Sequence, residues 1–186
     1  MSLCINMKEG IKAQMKATAH TDENAMASPL TLNDTLTKCY DVMMYAAKSG
    51  AFNPTAVRGI YTHIIGPSLK RRICMFTGKV SSATLANLEG ELVLEHFHRI
   101  QHELTKLIGR HMVEGENCQE FIDAIYLMEK VHIVTKRENY NAMKAKGCYT
   151  TADIELLDWS ELSPEVKFFL RKRMLKSRVA NIAEFI

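Results

Sequence analysis

Val131-His132-Ile133-Val134-Thr135-Lys136-Arg137-Glu138-Asn139 changes texture halfway along. The β-branched run at its start has the character of a short strand, and Thr135-Lys136-Arg137-Glu138 is a capping box, in which the threonine accepts from a backbone amide and the glutamate reaches back to the cap. A strand therefore runs straight into a helix, which Gly147 ends. Upstream, Arg72-Ile73-Cys74-Met75-Phe76 reads as a short strand followed by a turn at Gly78, and Glu91 to His96 as another. Together these segments predict a small β-hairpin closed by a helix.

Helical period dominates elsewhere. Leu36, Tyr40, Met43, Met44 and Ala47 share one face of a helix that begins near Asn33 and stops at Gly50. Asn53-Pro54 opens a second, which aligns Val57, Ile60, Tyr61 and Ile64 until Gly66-Pro67 ends it, so the two form a helical hairpin. Ile100, Leu104, Leu107 and Ile108 return to the same period, and Asn117 caps a helix carrying Phe121, Ile122, Ile125 and Met128. Ser163-Pro164-Glu165 starts the last helix, with Val166, Phe169, Leu170 and Met174 as its buried stripe. The expected fold is mainly α with a small β-hairpin, an α+β arrangement. It divides into a flexible N-terminal arm (1–30), a helical hairpin (31–68), a ββα element with a helical insertion (69–147), and a basic C-terminal helix (148–186) packed on the same domain.

Composition narrows the class. With 47% hydrophobic and 24% charged residues the chain lies in the globular range, and 186 residues suit one domain. The five cysteines are odd in number and include no Cys-x-x-Cys pair, so a reducing compartment is expected rather than a disulfide framework. No run approaches the roughly 18 apolar residues that span a bilayer, and the first residues hold no apolar signal core, so the expectation is a cytoplasmic protein without membrane contact. Phosphate-cradling glycine loops and nucleophile elbows are missing from the sequence, which removes nucleotide-driven enzymes and serine hydrolases from consideration.

Leu94-Glu95-His96-Phe97-His98 carries the most chemistry. Hydrolysing a phosphodiester with one metal needs a cation at the phosphate and a base for the attacking water. A carboxylate beside a histidine on a strand meets both needs, because successive side chains point in different directions. Basic residues cluster around it in sequence: Lys70, Arg71, Arg72 and Lys79, then Lys136, Arg137 and Lys144, then Arg171 and Arg178. Clusters of this kind grip a nucleic-acid backbone, although the net charge is only +3.

At this point the chain resembles the HNH endonuclease family, whose ββα-metal motif joins an acidic-His pair on a hairpin to a closing helix. Cys74-x-x-Thr77-Gly78 is similar to the turn that opens the motif, Leu94-Glu95-His96 to its acidic-His pair, and Val134-Thr135-Lys136-Arg137-Glu138-Asn139 to the start of its helix. The resemblance covers about residues 72–147. It implies an HNH-like ββα element, with Glu95 and Asn139 as metal ligands, His96 as general base, and one divalent metal, Mg²⁺ or Mn²⁺, acting on DNA. The family's middle Asn has no counterpart, and His132 stands nearest to its place, either as the replacement ligand or turned outward from the strand. A Zn²⁺ site using His98 and His102 at i, i+4 is a rival, and it requires a helix that starts by Phe97. The alternative function is a non-catalytic helical protein on a decayed scaffold, binding nucleic acid or a protein partner through the same basic faces or the acidic interval Asp153 to Glu165.

Overall fold

The computed structural model describes residues 30–186, so the arm expected over 1–30 lies outside the described residues apart from Leu30. Helix α1 (Leu32–Lys48) starts at a full capping box between Thr31 and Asp34 and buries Leu36, Cys39, Tyr40, Met43, Met44 and Ala47. Helix α2 (Pro54–Gly59) is capped by Asn53 as its sequence predicts. The stop expected at Gly66-Pro67 does not occur. The helix instead loosens into one π-helical segment, Ile60–Ile65, and resumes as α3 (Gly66–Ile73). Proline is tolerated there because it falls in the first turn of α3, where no amide donor is required. Glycine is needed for space, since a Cβ on Gly66 would stand 3.0 Å from the Tyr61 carbonyl oxygen and 3.4 Å from its ring.

Strand β1 is Met75–Ser81, so Arg72 and Ile73 belong to helix and not to a strand. Gly78 is not a turn either; it sits within β1 at φ +78, where the register against the neighbouring strand shifts between Phe76 and Val80. A short helix α4 (Ser82–Ala86) leads to β2 (Leu92–His96). Helices α5 (Ile100–Glu114) and α6 (Cys118–Met128) intervene before β3 (Lys130–Thr135), which passes directly into α7 (Lys136–Lys144) through the Thr135 capping box. Strand β4 (Leu156–Asp158), helix α8 (Pro164–Leu170) and a π-helical turn, Arg171–Leu175, follow.

The expected two-stranded hairpin is replaced by a four-stranded mixed sheet in the order β2-β3-β1-β4. Strands β1 and β2 are not partners; β3 lies between them, parallel to β1 and antiparallel to β2. Two principal cores result. One is all-helical, from α1, α2, α3, α5 and α6, with Phe121, Tyr61 and Leu104 at its centre. The other packs β1 and β3 against the C-terminal segment through Phe76, Ile133, Trp159, Leu170 and Leu175. The protein is thus mainly helical with a small mixed sheet, and no described helix is long and apolar enough to cross a membrane.

Candidate active site

Strand β2 ends at His96, and the surfaces around that end form a cleft of about 840 Å³. Its lining comes from α2, the π segment and α3, with Arg58, Tyr61 and Lys70, and from β2, α5 and its preceding residue, and α7, with Glu95, His96, Arg99 and Asn139. Glu95, His96 and Asn139, taken from two distant sequence segments, therefore face one cavity. Glu95 and His96 are consecutive on β2, opposite His132 and Val131 of β3, so they leave opposite faces of the sheet and both border the cleft at the strand's end. Asn139 is set by its neighbour Glu138, a buried carboxylate that accepts from Ser81 Oγ at 2.6 Å and from the Thr135 amide at 2.8 Å. The capping box thereby ties the start of α7 to the end of β1.

His96 does not stand alone. Its Nε2 lies 3.3 Å from Glu129 Oε2, and the Tyr61 hydroxyl donates to Glu129 Oε1 at 2.7 Å. Glu129 is nearly enclosed, at 7% side-chain exposure, whereas His96 retains 30%. Burial pushes the Glu129 carboxyl up, but the hydrogen bonds from His96 and Tyr61 outweigh it and the net shift is downward, which keeps the group ionised. Burial and the Glu129 charge push the Tyr61 hydroxyl up, so it remains a donor. A carboxylate only accepts, so Nε2 carries the proton shared with Glu129, and Nδ1 is the nitrogen this contact does not use.

Glu95 differs in kind. Burial raises its carboxyl, His96 and Arg99 act in the opposite direction, and no hydrogen bond contributes. A half-buried carboxylate held only by charge suits a cation, and Asn139 lines the same cleft with a second oxygen donor. Among the described residues no three His, Cys, Asp or Glu side chains gather to hold a metal by themselves. Glu95 and Asn139 are the oxygen donors lining the cleft that could hold a hard ion such as Mg²⁺.

His132 is packed differently from the role proposed for it. Its ring stacks on Phe97 at 5.2 Å, meets Tyr149 edge-on at 5.5 Å, and does not line the cleft. Burial, with help from Lys79 and His98, pushes it down to about 4, so it is neutral. His98 precedes α5, which begins only at Ile100, so the i, i+4 geometry required for a His98–His102 zinc pair is not present.

The basic candidates divide into three groups. Lys79 pairs with Asp158 at 2.8 Å, Lys136 with Glu91 at 2.9 Å, and Lys144 lies over the Tyr140 ring at 4.5 Å. Lys70, Arg71 and Arg178 line a groove of about 390 Å³ that shares Pro67 and Lys70 with the main cleft. Arg72 and Arg137 are exposed elsewhere, and Arg171 is half-buried. Arg173 has a structural part, donating to the Leu88 and Gly90 carbonyls and fastening the C-terminal segment to the turn before β2. Sequence reading missed Glu129, Tyr61, Arg58 and Arg99. The one available signal was Glu129 itself, an acid standing between the apolar Leu127-Met128 and the β-branched run after Lys130.

No family model, curated protein or solved structure matches the chain.

Proposed function

We propose that the protein is a metal-dependent endonuclease or nickase that hydrolyses phosphodiester bonds of DNA on an HNH-like ββα element formed by β2, β3 and α7. The observation that carries this reading is the chain Tyr61–Glu129–His96, which presents one histidine to a cleft with its far nitrogen fixed by a buried carboxylate. As water attacks phosphorus, His96 Nδ1 takes its proton, and the imidazolium that forms is stabilised by Glu129. The bond from phosphorus to the departing sugar oxygen breaks, and that oxygen leaves as a hydroxyl after protonation from solvent. Glu95 and Asn139 would hold a divalent ion such as Mg²⁺ or Mn²⁺, which would supply Lewis-acid stabilisation of the developing charge when bound. The groove lined by Lys70, Arg71 and Arg178 offers a path for flanking backbone.

Supercoiled plasmid incubated with the protein and Mg²⁺ or Mn²⁺ tests the proposal. Nicking is expected, EDTA should stop it, and His96→Ala should lower the rate by about 10²–10⁴-fold, the usual contribution of a positioned acid–base group. Absence of nicking by the unmodified protein, or equal nicking by the variant, overturns it and leaves the binding-protein alternative.

A further inference from the structure

Arg58 and Arg99 both line the cleft, one from α2 and the other from the residue that precedes α5. Arg58 Nε and Nη1 and Arg99 Nε are enclosed, and none has a hydrogen-bond partner among the described residues. A guanidinium cannot shed its proton to relieve this, and an enclosed donor without an acceptor is destabilising. The cleft's own acceptors do not meet the need. Both Glu129 oxygens are engaged, by Tyr61 and His96, and Arg99 acts on Glu95 through charge and not through a hydrogen bond. Arg171 Nε is enclosed and unpartnered as well, so this condition alone marks no site. Arg58 and Arg99 stand apart because they share one cavity with a third cation, Lys70, and with His96.

We infer that Arg58, Arg99 and Lys70 form an anion subsite for a phosphate group in the His96 cleft. Two guanidinium forks and an ammonium match the several oxygens and the charge of a phosphate. The chemistry is shared by a phosphate within a nucleic-acid backbone and by free inorganic phosphate. The inference deepens the hydrolase reading and rests on it for the identity of the substrate, but anion binding can be read without turnover.

The full chain is titrated with sodium phosphate in a calorimeter and melted with and without it, using sodium chloride of equal ionic strength as reference. Phosphate should bind and raise Tm above the chloride value. Arg58→Gln and Arg99→Gln should each weaken phosphate on the order of tenfold, whereas Lys38→Gln, on the exposed face of α1, should leave the affinity unchanged. Undiminished affinity in both arginine variants, or no effect of phosphate beyond chloride, overturns the subsite. If the glutamine variants do not fold, Arg58→Lys and Arg99→Lys keep the charge but lose the fork, and affinity equal to the unmodified protein overturns it in the same way. Displacement of a bound short oligonucleotide by phosphate assigns the subsite to a backbone phosphate, and phosphate binding without displacement confines it to the free anion. Phosphate binding by a protein that never nicks plasmid retains the subsite and removes the hydrolase.

Discussion

Among the described residues two tyrosine–histidine–carboxylate chains are found, and they are wired in different order. In the helical core Tyr40 Oη meets His111 Nδ1 at 2.9 Å and His111 Nε2 meets Glu120 Oε2 at 2.9 Å, so the histidine is central, both its nitrogens are used, and its side chain is 2% exposed. In the cleft the carboxylate of Glu129 is central and His96 is terminal, with 30% exposure and one nitrogen unused by the chain. The same three residue types make a structural strut in one place and a candidate base in the other. The difference is which group ends the chain, because only a terminal imidazole has a nitrogen left to offer to water.

Exchanging the roles gives the sharpest break in that comparison. His96→Ala should reduce nicking by about 10²–10⁴-fold and cost about 1–2 kcal/mol by stranding one oxygen of Glu129, whereas His111→Ala should leave the per-molecule nicking rate near that of the unmodified protein but cost about 2–4 kcal/mol in chemical denaturation, by leaving a cavity and stranding Tyr40. Should both variants lose stability and neither lose rate, the two chains are equivalent struts. Next in size, Glu129→Gln removes the charge that stabilises the imidazolium, and a fall of about 10–100-fold in kcat with KM unchanged is expected from single-turnover and steady-state assays.

The outer pair gives a pH-dependent contrast. Hydrogen bonds from Arg110 and His111 hold the Glu120 carboxyl down to about 2, against its ordinary 4.5. A carboxyl depressed in the folded state adds stability above its unfolded value and loses it as pH falls, so Tm should drop as pH is lowered from 4.5 toward 2. Glu120→Gln should flatten that part of the profile, and an unchanged profile would remove the pair from the account of stability. The smallest effect belongs to Tyr61→Phe, which strands one oxygen of Glu129 and should cost about 1–2 kcal/mol with a several-fold rate loss. Tyr40→Phe should match it in stability alone.

Signals contained within a few residues were readable from the sequence. The Thr135–Glu138 box, the Asn53-Pro54 start and the Asn117 cap lie where their sequence places them, because each is satisfied by its own first turn. Gly66-Pro67 was not readable as a register change, because what requires glycine there is the Tyr61 carbonyl, brought close only once the π segment has formed. The strand order was hidden for a related reason. Glu95 faces His132 across a two-helix insertion, and no local pattern distinguishes that pairing from a hairpin. Glu95, His96 and Asn139 could be named from a motif, but Glu129 and Tyr61 act through contacts 33 and 68 residues away, and Tyr61 reads in sequence as one more apolar stripe position.

The insertion of α5 and α6 between β2 and β3 has a consequence for assembly. A hairpin would bring its two strands together within about 1–10 μs of local search, whereas here the β2–β3 pairing closes across two helices that pack with α1, α2 and α3, a non-local contact of the kind that slows folding. Tyr61 is fixed in the helical core, β3 in the sheet core, and His96 touches Glu129 where the two join. The Tyr61–Glu129–His96 chain is therefore a gauge of docking between the cores. If His96 is the base proposed above, a chain whose cores have not docked would lack it, and mild denaturant should extinguish nicking before it removes helix or strand.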